Sequence, residues 1–102
     1  MEWYYYFSAF WTGAFLTNAI PHFVNGISGN SFPTPFAKPH GKGLSSPTLN
    51  VLWALFNLVA GYLLCRISGI SPQDNRSLIS FFAGIALVSI LLSKRFANKD
   101  KA

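Results

Sequence analysis

Acidic side chains are nearly missing from this chain of 102 residues: Glu2, Asp74 and Asp100 are the whole set. Cysteine occurs once, at Cys65, and histidine twice, at His22 and His40. One cysteine excludes an intrachain disulfide, and no Cys/His spacing of a metal site exists. Two histidines without a third ligand make a poor metal centre, so no cofactor is specified. With so few carboxylates, no Ser-His-Asp or acid–base pair is readable, and enzymatic chemistry is not expected. Cys65 reads as a buried thiol packing within a helix. Charge of either sign is scarce: 11% of residues, where a soluble domain carries about 25%. No Lys or Arg precedes the first apolar run, so the basic head of a cleaved signal peptide is lacking and that run is expected to be retained.

What the chain has instead is grease. Half of it is hydrophobic, 17% is aromatic, and the mean hydropathy is +0.33. Three apolar stretches cover about residues 3–24, 47–68 and 72–93. The first opens on Trp3-Tyr4-Tyr5-Tyr6-Phe7, an aromatic cluster suited to a membrane interface. From Trp3 to Ile20 a helix rises about 27 Å, close to the hydrocarbon thickness. Pro21 is expected to kink or finish that helix, with Asn25-Gly26 as the stop. The second stretch opens on Ser46-Pro47, a cap followed by a residue suited to the first turn, and closes on Ser68-Gly69. The third opens on Ser71-Pro72-Gln73-Asp74, which reads as a capping box. These features predict an all-α fold: an integral membrane three-helix bundle forming a single transmembrane domain over residues 1–102. Only Gly69 to Ser71 separates helices 2 and 3, so they are expected to be an antiparallel hairpin of neighbours.

Lys and Arg set the orientation. The loop 25–46 and the tail 94–102 together hold Lys38, Lys42, Lys94, Arg95, Lys99 and Lys101, against Arg66 and Arg76 on the other side. The positive-inside rule then predicts an inner-membrane protein with the N-terminus outside and the C-terminus cytoplasmic. Charge at span edges meets anionic lipid headgroups and does not describe a nucleic-acid surface.

A polar seam runs through the apolar helices. Asn18, His22 and Asn25 follow i, i+4, i+7 and share one face of helix 1. Asn50, Asn57 and Gly61 share one face of helix 2. The two faces are expected to meet, with Asn18 bonding Asn57, the polar residues serving either as structural glue between helices or as the lining of a polar pocket with His22 at its mouth. Ala9, Gly13 and Thr17, and Ser80 with Gly84, offer small faces for close helix packing, as does Gly61.

The 25–46 loop is the least generic segment. Gly26, Gly29, Gly41 and Gly43 loosen it, while Pro33, Pro35 and Pro39 stiffen it. Phe32 and Phe36 bracket Pro33-Thr34-Pro35 and are expected to pack on the helix ends, making the loop a structured cap. His40-Gly41-Lys42-Gly43 is not a phosphate loop, since neither a Ser/Thr after the Lys nor a preceding strand is present. Lys38, His40 and Lys42 remain candidates for binding an anion or lipid headgroup.

Three functions are compatible with these features. The first is an accessory or scaffold subunit of a homo-oligomer or larger membrane complex. The second is a small oligomeric transporter or channel that uses the Asn18–His22–Asn57 seam. The third is a lipid- or anion-binding protein that uses the first loop.

Overall fold

A computed structural model describes residues 3–38, 43–71 and 73–99. It contains three helices: α1 (Trp3–Ile27), α2 (Pro47–Ser68) and α3 (Asn75–Phe96). No strand forms among the described residues, apart from one isolated antiparallel bridge between Phe32 and Ser45.

Helix ends follow local chemistry. Ser46 Oγ accepts from the Leu49 N–H at 3.1 Å, Pro47 begins α2, and Gly69 in the left-handed region (φ 61°) ends it. α3 begins later than the capping pattern predicts. Asp74, not Ser71, caps it and accepts from the Arg76 N–H. A short carboxylate satisfies an orphan amide and suits the positive helix N-terminus. Ser71 shapes the preceding turn instead, accepting from the Gln73 and Asp74 amides. Pro72 lies outside the described residues.

α1 also outruns its expected stop. Pro21 sits inside the helix, which continues to Ile27. Proline removes only one helical donor, and the turns beyond it are held by packing against α2. The left-handed residue is Gly29 (φ 76°), not Gly26. Gly26 instead lets α1 approach α2 closely. A Cβ there would stand 2.6 Å from Val51 Cγ2 and 2.8 Å from the Pro47 carbonyl oxygen.

α1 is the central helix. It packs extensively on α2 and on α3, whereas α2 and α3 share no comparable interface. Contacts at Leu16–Gly61, Asn18–Asn57 and His22–Asn50 make α1 and α2 antiparallel. Contacts from Gly84 to Phe10 and Ala14, and from Phe96 to His22, make α1 and α3 parallel. The expectation of helices 2 and 3 as adjacent partners is therefore corrected. They do run in opposite directions, but α1 lies between them. Glycine explains why: Gly13 is pressed against the Phe81 carbonyl and Gly84 against the Phe10 carbonyl. No such contact draws α2 to α3.

Burial is inverted relative to a water-soluble core. Ala9, Thr12, Asn50, Ala54 and Ser77 are fully covered, whereas Ile79 is 68% exposed and Phe56 and Phe82 are mostly exposed. Small and polar groups face inward, and large apolar ones face out. α2 and α3 are each long and apolar enough to cross a membrane, by length and composition. α1 does not meet that measure, although it is one of the three stretches expected from sequence to span the membrane. Its tyrosines, threonines, asparagines and His22 lower the mean, and Thr12, Thr17 and His22 lie on its buried face. Cys65 is exposed, not buried as expected, because it lies at the edge of the α2 face that buries Asn57, Gly61 and Ser68.

The glycine contacts give a first prediction. Gly84→Leu forces a side chain into the Phe10 backbone and should destabilise the bundle by about 2–3 kcal/mol or more. Gly69→Ala, strained by a positive φ but facing open space, should cost only about 1 kcal/mol. Thermal unfolding of both variants in detergent, followed by circular dichroism, checks the order.

Candidate functional site

The facing polar residues of α1 and α2 are hydrogen-bonded to one another. Asn18 Nδ2 donates to Asn57 Oδ1 at 3.0 Å, and Asn57 Nδ2 donates to the Trp53 carbonyl at 2.8 Å. One helical turn nearer the loop, His22 Nδ1 lies 2.8 Å from Asn50 Oδ1.

Asn50 is the hub. Its Nδ2 faces the carbonyls of Phe32 (2.9 Å), Ser46 (3.0 Å) and Ser45 (3.3 Å). Three acceptors around one amide nitrogen fix which end of the carboxamide points where. Asn50 Oδ1 must then face His22 as an acceptor, so His22 Nδ1 carries the proton and donates. In the neutral ring this leaves Nε2 as an acceptor.

The loop closes over this pair. Phe32 and Ser45 exchange backbone hydrogen bonds at 3.1 and 3.0 Å, and the Thr34 and Ser45 hydroxyls are 2.7 Å apart. Phe32 is buried against the rings of His22 and Phe96, with centroids 5.5 and 4.6 Å away. Phe36 is itself exposed, yet it packs edge-on against Trp53 at 5.3 Å. Lys99 sits 5.9 Å over the Phe32 ring and donates to the Phe96 carbonyl. Loop, α1 C-terminus, α2 N-terminus and α3 C-terminus therefore meet at one end of the molecule.

Two cavities lie along α1. The end cavity, about 230 Å³, is walled by Asn18, His22, Thr34, Trp53, Arg95 and Phe96. The lateral groove, about 210 Å³, is walled by Trp11, Ala14, Phe15, Asn57 and Val88, and again by Asn18 and Trp53. The two share a wall, and no carboxylate among the described residues lines either. Among the described residues, Trp53 Nε1 is the single buried side-chain nitrogen or oxygen without a hydrogen-bond partner.

The expected site residues divide. Asn18, His22 and Asn57 come together at the cavities. His22 is only 2% exposed and forms an inner wall, where a place at the pocket mouth is expected from sequence. Asn25 does not join them: its Nδ2 turns back to the Pro21 carbonyl at 2.7 Å. Lys38 is exposed and lines neither cavity. His40 and Lys42 lie outside the described residues. Gly13, Gly61 and Gly84 are buried at helix contacts. The seam pattern misses Trp53, Thr34 and Arg95 as wall residues, and Asn50 as the clamp of the loop. For Asn50 a signal exists, since it is spaced seven residues from Asn57 on one helix face. No group of three or more potential metal ligands occurs among the described residues. No protein-family model matches the chain, and no curated protein or solved structure matches it.

Asn50→Leu should release the loop while leaving the helices paired. The Phe32 and Ser45 amides should exchange hydrogen at least about tenfold faster, one decade per 1.4 kcal/mol lost. Amides around Gly13 and Gly84 should keep their protection, and hydrogen exchange with residue-level resolution reads both.

Proposed function

We propose that this is a three-span inner-membrane protein that serves as an accessory or scaffold subunit of a homo-oligomer or larger membrane assembly. Inverted burial carries this reading. In lipid no hydrophobic force holds helices together, so interiors are built from small residues and inter-helix hydrogen bonds. This chain has that interior, and its two most apolar windows are only 22% and 11% buried, unlike core helices of a soluble protein.

Three further features support the placement. The long dimension of 45 Å is comparable to a bilayer with its headgroups, about 40–45 Å. α1 can serve as the third span because its Thr and His side chains are covered by its neighbours. Lys38, Lys94, Arg95 and Lys99 belong to the loop end and Arg66 and Arg76 to the other, so the loop end is assigned to the cytoplasm.

A static role is favoured over a conduction path by the state of the seam. Its amides and imidazole bond to each other and to the loop, each inter-helix bond being worth about 0.6–2 kcal/mol in lipid. A water-lined route needs such groups turned toward the path.

Cysteine labelling tests the placement in a Cys65→Ser background. Gln73→Cys should react with an impermeant maleimide in intact cells, and Ser28→Cys only after the inner face is opened. Native mass spectrometry from mild detergent should then show the chain in an assembly. A lone monomer, or the reverse labelling pattern, overturns the reading.

A further inference from the structure

Among the described residues one buried donor has no partner, Trp53 Nε1, and the exposed Arg95 side chain stands on a wall of the same cleft, where no described carboxylate lies. We propose that the cleft between α2 and α3, floored by α1, holds one anionic phospholipid. The phosphate-bearing headgroup lies in the end cavity beside Arg95, and an acyl chain lies along the lateral groove. This rests on the membrane placement above and adds a ligand to it.

Depth, shape and charge agree. Arg95 is in the last turn of α3, at the loop end where Lys38, Lys94 and Lys99 also lie. That is the level of lipid headgroups for a helix that ends at the bilayer face. A guanidinium fork matches a phosphate in a way that a lysine point charge does not. His22 and Trp53 line the same cavity, and the Trp53 N–H is the one buried donor without a partner among the described residues. Below them the groove is walled mainly by Trp11, Ala14, Phe15 and Val88, which is a lining for hydrocarbon. Because α2 and α3 share no extensive interface, the groove opens sideways, and a lipid can enter without leaving the bilayer.

The experiment uses the full chain in detergent micelles doped with phosphatidylglycerol or phosphatidylcholine at equal concentration, read by native mass spectrometry. Wild type should retain one phosphatidylglycerol at least tenfold more often than phosphatidylcholine. Arg95→Gln should abolish that preference, while Lys94→Gln, a neighbouring cation that lines neither cavity, should keep it. Soluble glycerol phosphate should fail to displace the lipid, which separates a lipid site from a free-phosphate site. Equal retention of the two lipids, equal effects of the two substitutions, or ready displacement by glycerol phosphate each overturns the proposal. Should Arg95→Gln not fold, Val88→Phe probes the other end of the cleft. It should lower retention at least tenfold, and unchanged retention overturns the proposal. Labelling topology and assembly state are read separately, so failure here is distinguishable from failure of the scaffold reading.

Discussion

One carboxamide ties three parts of the chain together. Asn50 belongs to α2, its Nδ2 faces two loop carbonyls and the α2 cap carbonyl, and its oxygen accepts from His22 of α1. The contacts to His22, Phe32 and Ser45 are buried, that to Ser46 is half-buried, and Asn50 itself is fully covered. A buried polar group without its partner loses about 1–3 kcal/mol, so removing this side chain strands several groups at once. The arrangement is also directional. Two N–H donors shared among three carbonyls leave no freedom to flip the amide, and that fixes the proton on His22 Nδ1. The tautomer of an imidazole in one helix is thus dictated by where the loop places its backbone.

The same economy shapes the helices. α1 has two interfaces to make, and it makes them with Ala, Gly, Thr and Ser. Large side chains would hold the backbones apart, so they are displaced to the outer surface. Close approach needs glycine on each side of the α1–α3 contact, at Gly13 and Gly84, and a glycine in α2 to admit Leu16. A central helix built this way loses apolarity as it gains contacts. That accounts for the falling short of α1 on hydropathy while α2 and α3, each with one protein neighbour, pass.

Period and composition carry much of this architecture. Ser46-Pro47 and Ser68-Gly69 mark the ends of α2, and the 18/22 and 50/57 spacings identify the faces that meet. The remainder depends on tertiary geometry. Ser71 and Asp74 are both good caps, and a helix uses only one of them. Asn25 has the spacing of a seam residue, yet its own Pro21 carbonyl lies within reach at i−4 and takes its amide. A short link between helices 2 and 3 predicts adjacency only if nothing fits between them, and the Gly13–Gly84 contact brings α1 there. Cys65 is misread because it stands one turn beyond Gly61, at the edge of the buried face, where spacing alone does not tell covered from exposed. Arg95 reads as part of a basic tail, and only the folded loop turns it into a cavity wall.

The loop and the cleft are linked through these contacts. Thr34 roofs the end cavity, and its hydroxyl is held by Ser45, whose carbonyl in turn faces Asn50. The clamp that orders the loop therefore also sets the ceiling over Arg95 and His22. Beneath that ceiling, Asn18 and Asn57 answer each other across α1 and α2, so the floor does not need a ligand for its own stability. The other flank, between α2 and α3, has no comparable interface because α3 is drawn to α1 and not to α2, and it is there that the proposed lipid would enter and be held.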